Sequence, residues 1–198
     1  MTDFSLRLAA MTLAAAVFCG AAPAQAASVS RSGDAVRLDG PIKPGDEFTF
    51  RNFLRDNPGV KIVMLDSPGG FILPAKEIAR DIRKNRLDTG VDAGRASCNS
   101  ACTGIFAGGV NRYYLNTQGL ADGDAKKRGL GFHQGNAFNA AGVRAQSGPA
   151  TADMINIYYE MGASGAVNFV TKADWKSLHR ISGATAMQHG IATSLTRR

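Results

Sequence analysis

Three short stretches of this chain hold the residue types that carry out acyl transfer. Cys98-Asn99-Ser100-Ala101-Cys102 sets a serine between two cysteines, at the mouth of a small-residue segment that continues through Thr103-Gly104-Ile105-Phe106. Ala101, Cys102, Ile105 and Phe106 recur at helical spacing, and Ser97 or Asn99 is suited to cap the start, which predicts Ser100 in or beside a first helical turn. The free backbone N–H groups there suit an anion, either a bound carboxylate or the oxyanion of acyl transfer. Taken alone, such a serine is a cap or a packing residue. The other two stretches, Leu65-Asp66-Ser67-Pro68-Gly69-Gly70 and Gly131-Phe132-His133-Gln134-Gly135, change its meaning. A serine hydroxyl is a poor nucleophile until a base takes its proton, and the His133 imidazole can do so near neutral pH. Glycine at 69 and 70 lets the main chain approach a substrate carbonyl with no side chain in the way. The structural alternatives are a bare turn at Gly69-Gly70 and a hydrogen-bonded strand histidine at 133. His179 and His189 read as structural or surface residues.

The elements that must hold these groups follow from periodicity. Ala35 to Leu38 alternates and ends at Asp39-Gly40-Pro41, a short strand and turn. Phe48, Phe50, Phe53 and Leu54 suit one face of a helix closed by Asn57-Pro58-Gly59. Val60 to Leu65 is apolar on both faces, as a central parallel strand would be, and runs into the Ser67-Pro68-Gly69-Gly70 turn. Ala75, Ile78, Ala79 and Ile82 then form a helical stripe, with Pro74 tolerated in the first turn. The succession repeats with a strand at Val91 to Gly94, the Ser100 turn and a second helix, which implies right-handed crossovers with the two turns facing each other. Further strands are expected at Asn111 to Leu115 and Leu130 to His133, and helices over Ala152 to Met161 and near Ala184 to Ile191. Thr117 to Arg128 reads as a polar loop, and Asn136 to Ala150 as a long surface loop that could cover a site.

The N-terminus reads separately. Met1 to Leu8 is a polar opening, Leu8 to Ala22 is an apolar run, and Ala24-Gln25-Ala26 supplies a small-x-small cleavage pattern. This predicts a secretory signal peptide over residues 1–26 rather than a membrane span. Bulky Phe18 before Cys19 argues against a lipid anchor. Residues 27–198 are then one domain, periplasmic or secreted. The formal net charge of +7 survives cleavage because Asp3 and Arg7 leave together. Its cations are scattered, with Lys126-Lys127-Arg128 the one small run, which speaks for a solvated basic surface and against a nucleic-acid partner. In an oxidising compartment Cys98 and Cys102 can form a disulfide.

Together, the motifs around Ser67-Pro68-Gly69-Gly70, Ser100 and His133 resemble, in order and placement, the Clp protease proteolytic subunit within the Clp/crotonase superfamily. More narrowly, from about Leu38 to the end the chain resembles secreted, periplasmic Clp-protease-like proteins of bacteria. The resemblance implies an α/β fold of repeated β-β-α units with a mostly parallel central sheet. It also implies Ser100 as nucleophile, His133 as general base, and the N–H groups of Gly70 and Ala101 as an oxyanion hole. A peptide or protein substrate is expected, a homo-oligomer is allowed, and no cofactor, metal or stable membrane anchor is called for. The departure is the third catalytic member. Three residues before Ile181-Ser182, where the family has an aspartate, this chain has Leu178, and Asp174 is an offset substitute four residues earlier. A Ser/His dyad is therefore open, as is a lysine base at Lys126 or Lys127. The function expected is a serine hydrolase, most readily a peptidase. The alternatives are a non-catalytic protein that binds peptides or anionic ligands, and an acyl-thioester enzyme, which export argues against.

Overall fold

The computed structural model describes residues 26–197, so the expected leader lies outside the described residues but for Ala26. One sheet carries, in spatial order, β1 (Ser28–Ser32), β2 (Ala35–Asp39), β3 (Ile62–Asp66), β4 (Asp88–Asp92) and β6 (Arg112–Leu115). β1 and β2 are antiparallel, and every later neighbour is parallel. The apolar run at 60–65 forms the central strand of this sheet, with Ile62, Val63 and Leu65 buried. A smaller sheet is ordered β10 (His179–Arg180), β7 (Gly129–Phe132), β5 (Ser97–Asn99). Ser67 joins the two, because the chain leaving β3 runs on beside β5: the Ser67 N–H donates to the Ser97 carbonyl at 2.7 Å, and the Ser67 carbonyl accepts from the Asn99 N–H at 3.0 Å.

The repeat is thus a strand in the large sheet, a short strand or bridge in the small one, and a helix. β3, Ser67 and α2 (Ile72–Lys84) form the first such unit. β4, β5 and α3 (Ala101–Ala107) form the second, and β6, β7 and α4 (Gly148–Glu160) the third. This is the α/β architecture of β-β-α units with a mostly parallel central sheet that the sequence motifs imply. α3 is too short to be stable as an isolated helix. Burial holds it instead: every residue from Ala101 to Ala107 is buried, and Gly104 lets it lie against Ile157 of α4, where an added Cβ would meet the Ile157 side chain at 3.1 Å. The Arg83 guanidinium closes its far end by donating to the Ala107, Gly108 and Gly109 carbonyls, and it reaches Met161 after α4 as well.

Further polar contacts tie the two sheets to each other and Ala27 to Asp46. The buried Tyr114 hydroxyl on β6 donates to the Ile181 carbonyl and accepts from the Leu130 N–H on β7, both at 3.0 Å. Burial pushes its pKa up to about 12, so it keeps its proton. At the other edge, the buried Asp46 carboxylate opens α1 (Asp46–Asp56) and accepts the Ala27 N–H at 3.3 Å and the Lys43 N–H at 2.7 Å.

The structure revises several sequence expectations. Asn136 to Ala150 is not a plain loop: it holds a hairpin of β8 (Asn136–Phe138) and β9 (Arg144–Gln146) and the start of α4. The Asn139 side chain organises its turn by accepting the Ala141 and Val143 N–H groups. The strand expected at 91–94 begins at Asp88 instead, because buried Thr89 satisfies its hydroxyl on the Phe106 carbonyl at 2.6 Å. A 3-10 turn (Ser164–Ala166) and the short helices α5 (Val167–Val170) and α6 (Gly183–Gln188) follow α4. No helix among the described residues is long and apolar enough to cross a membrane.

Candidate active site

Ser100 sits between β5 and α3 with φ 54° and ψ −128°, a conformation that costs a non-glycine residue about 1–3 kcal/mol. The surroundings fix it there. Its N–H donates to the Gly131 carbonyl at 2.9 Å, and its carbonyl accepts the Thr103 N–H at 2.9 Å and the Thr103 hydroxyl at 2.6 Å. With its own proton committed, the Thr103 oxygen must accept from the Tyr158 hydroxyl, also 2.6 Å away. Burial raises the Tyr158 pKa and keeps it a donor. Cys98 and Cys102 form a disulfide with Cα atoms 5.2 Å apart, linking β5 to α3 across the serine. Ser97 and Asn99 are strand residues and cap nothing. Ser100 itself takes the N-cap position, yet its side chain makes no cap hydrogen bond, so the hydroxyl is left for the cleft.

Gly69 and Gly70 press the turn after β3 against this serine. A Cβ on Gly69 would lie 2.8 Å from the Ser100 Cβ and 2.6 Å from the Asn99 carbonyl oxygen. The Gly69 N–H is held by the Ser67 hydroxyl at 3.1 Å. Ile42 pins the next residues, donating its N–H to the Gly69 carbonyl and accepting the Phe71 N–H. Between those bonds the Gly70 N–H has no partner among the described residues, and the Ala101 N–H beside Ser100 has none either.

His133 follows β7 and is buried. Its Nδ1 lies 2.6 Å from the Gln134 carbonyl oxygen. Burial lowers its pKa below the ordinary histidine value, opposed by the Gln134 carbonyl and the charge of Asp174. Asp174 itself is exposed. Its Oδ1 accepts the Lys176 N–H at 2.8 Å and the Ser177 hydroxyl at 3.2 Å, bonds that hold its carboxyl below the usual carboxylate range. It makes no hydrogen bond to His133.

Ser100, Gly70 and His133 share one cleft of about 590 Å³; Asp174 does not line it, although Trp175 does. Its apolar lining includes Phe71, Leu73, Phe138, Met154 and Trp175, and its charged rim is Glu47 on α1 and Arg144 on β9. Arg144 stacks on Phe138 at 5.3 Å. These rim residues, and the carbonyl at Gln134, carry no signal in sequence spacing: the hairpin strands are too short to show a period, and every residue has a carbonyl. A second cleft of about 420 Å³ lies against β2, β3 and β4, where Arg37 and Arg95 are already paired with Asp66 and Asp92. Among the described residues no cluster of His, Cys, Asp or Glu could hold a metal ion.

No family model and no curated protein sequence matches the chain. Solved structures do. The 1510-N membrane-bound stomatin-specific protease superposes with a TM-score of 0.54 at 17% identity, covering 83% of this chain and 78% of that one. The ClpP protease catalytic domain from Plasmodium falciparum gives 0.58 at 16% identity, covering 83% and 86%. ClpP1 from Listeria monocytogenes gives 0.52 at 14% identity, covering 84% and 92%. Shared architecture at such low identity speaks for the fold alone, and that fold is the Clp-protease-like one.

Proposed function

We propose that the protein is an exported serine hydrolase, a peptidase by preference, working through an acyl-enzyme on Ser100. The observation that carries this is the convergence on one cleft of a strained serine whose side chain makes no cap hydrogen bond, a buried histidine and the Gly70 N–H, with the Ala101 N–H next to the serine, both N–H groups without a partner among the described residues. In the proposed reaction His133 Nε2 takes the hydroxyl proton as Ser100 Oγ attacks a substrate carbonyl. The Gly70 and Ala101 N–H groups receive the oxyanion, a contribution of about 2.7–4 kcal/mol per donor where such donors have been removed elsewhere. The imidazolium passes its proton to the leaving amine, and water releases the acyl group by the same steps in reverse. The apolar lining suits an extended peptide with hydrophobic side chains. Asp174 contributes only its charge, and Lys126 and Lys127 are exposed and do not line the cleft.

A binding protein is the second reading, favoured by one observation: the Ser100 hydroxyl has no hydrogen bond to His133 among the described residues. Catalytic bonds of this kind often tighten only with substrate in place. A fluorophosphonate probe separates the two. Covalent labelling of the native protein that disappears in Ser100→Ala establishes the hydrolase; no labelling in either leaves the binding protein.

A further inference from the structure

A histidine that acts as a base through Nε2 needs something to hold a proton on Nδ1 and to fix the plane of the ring. Leu178 holds the position at which the family resemblance expects an acid, and Oδ1 of the Asp174 carboxylate is engaged by the Lys176 N–H and the Ser177 hydroxyl in its own turn. The group at Nδ1 is the Gln134 carbonyl oxygen, 2.6 Å away. A carbonyl oxygen only accepts, so Nδ1 carries the proton and Nε2 keeps the lone pair.

Resting on the hydrolase reading above, we infer that the main-chain carbonyl of Gln134 is the positioning group for His133 and that it replaces the carboxylate of a catalytic triad. The surrounding chain clamps that carbonyl. The Gln134 N–H donates to the Ala173 carbonyl at 3.2 Å, and its side-chain oxygen accepts from Gln146 on β9. The next N–H, of Gly135, donates to the Thr151 hydroxyl at 2.9 Å, and the Gly135 carbonyl accepts the Ser147 N–H at 2.9 Å. Gly135 lies so close to α4 that an added Cβ would be 2.5 Å from the Thr151 nitrogen. The peptide that orients the base is therefore fastened to the hairpin and to the first turn of α4, the same elements that wall the cleft.

A neutral acceptor does this work differently from a carboxylate. It fixes the tautomer but supplies no counter-charge to the imidazolium, and bonds to neutral partners are about half as strong as charge-assisted ones. Among the described residues Asp174 is the one carboxylate whose charge acts on His133, while Glu47 and Arg144 stand on the cleft rim. The arrangement exchanges maximal rate for a base whose orientation does not depend on an acid's ionisation.

The test combines ring-nitrogen NMR of the histidine-labelled protein with fluorophosphonate kinetics on native protein, Asp174→Asn and the Gln146→Ala, Thr151→Val double variant. Expected for native protein and Asp174→Asn alike is a proton on Nδ1 of His133, with maximal labelling rates within about threefold. In the double variant the ring should populate both tautomers, and the maximal rate should fall about 10–100-fold, the range for losing the partners that orient metal-binding histidines. The probe concentration for half-maximal rate should stay within about threefold. A tautomer change in Asp174→Asn, or a loss of about 10⁴-fold as when a true triad aspartate is neutralised, overturns the inference. So does a double variant with native rate and native tautomer. If labelling proves independent of Ser100, the hydrolase reading fails by itself, and the NMR arm still decides what orients His133.

Discussion

Deleting one hydroxyl and one imidazole tests the chemistry most directly. Ser100→Ala is expected to remove probe labelling, His133→Ala to reduce it by several orders of magnitude, and the double variant to be little worse than either, because a nucleophile and its base act as a unit. Additive losses in the double variant would show that the two do not cooperate. Burial of His133 has a pH signature of its own. Its neutral form is favoured in the folded state, so its folded pKa lies below the unfolded value of about 6.5. Labelling should keep its rate to a pH below that of an exposed histidine. Stability carries the opposite burden: as pH falls below about 6.5 the unfolded chain takes up a proton that the folded chain resists, and folding weakens until the folded pKa is reached. Urea midpoints at pH 7.5 and 5.5 should therefore drop more for native protein than for His133→Gln; equal drops would mean that His133 is freely solvated. At this scale side-chain type singled out Ser100, His133, Gly69 and Gly70, and the structure brings Ser100, His133 and Gly70 to one cleft with Gly69 packed against the serine. The sequence was silent on the Gln134 carbonyl, and it offered Asp174 only because an acid was missing from position 178.

Elements with a continuous apolar run or an internal period were readable: the run that became β3, the stripe of α2, and Met154, Ile157 and Tyr158 of α4. The elements without one were not. β1 is Ser-Val-Ser-Arg-Ser, largely exposed, and exists because β2 offers it a register. β8 and β9 are three residues each and define each other across the Asn139 turn. β5 was read as part of a turn because its pairing is with the distant β7. The disulfide belongs to this scale, since it fastens β5 to α3. So short a closed loop removes little entropy from the unfolded chain, and its effect is local, on the strained serine between the two cysteines. Cys98→Ala, Cys102→Ala is expected to keep its circular dichroism spectrum while labelling falls at least about tenfold. Labelling at the native rate would show that the Gly131 and Thr103 hydrogen bonds hold the turn without the bridge.

For the molecule as a whole, the α/β architecture was foreseeable from motif order, whereas the division into two sheets joined through Ser67 and Tyr114 depends on contacts between residues far apart in sequence. Intact mass of the protein from a secreting host should begin at Ala27, and a retained leader would reject the signal peptide. That cut would also alter the contact between Ala27 and Asp46. In the uncut chain the Ala27 nitrogen that donates to the buried carboxylate is an amide. After cleavage between 26 and 27 the same nitrogen becomes a free ammonium, and a hydrogen bond turns into an ion pair that only the processed chain possesses. Asp46→Asn should then destabilise the mature protein by about 1.5–3 kcal/mol, the range for hydrogen bonds to charged groups, and a chain extended by a few residues by less. An α-amino group gaining such a partner has its pKa raised above the free value of about 7.7–8.0. The added stability is complete below that value and fades as pH rises through the raised one. Since α1 brings Pro44 and Glu47 to the rim of the cleft, removal of the leader would be recorded there as a firmer wall.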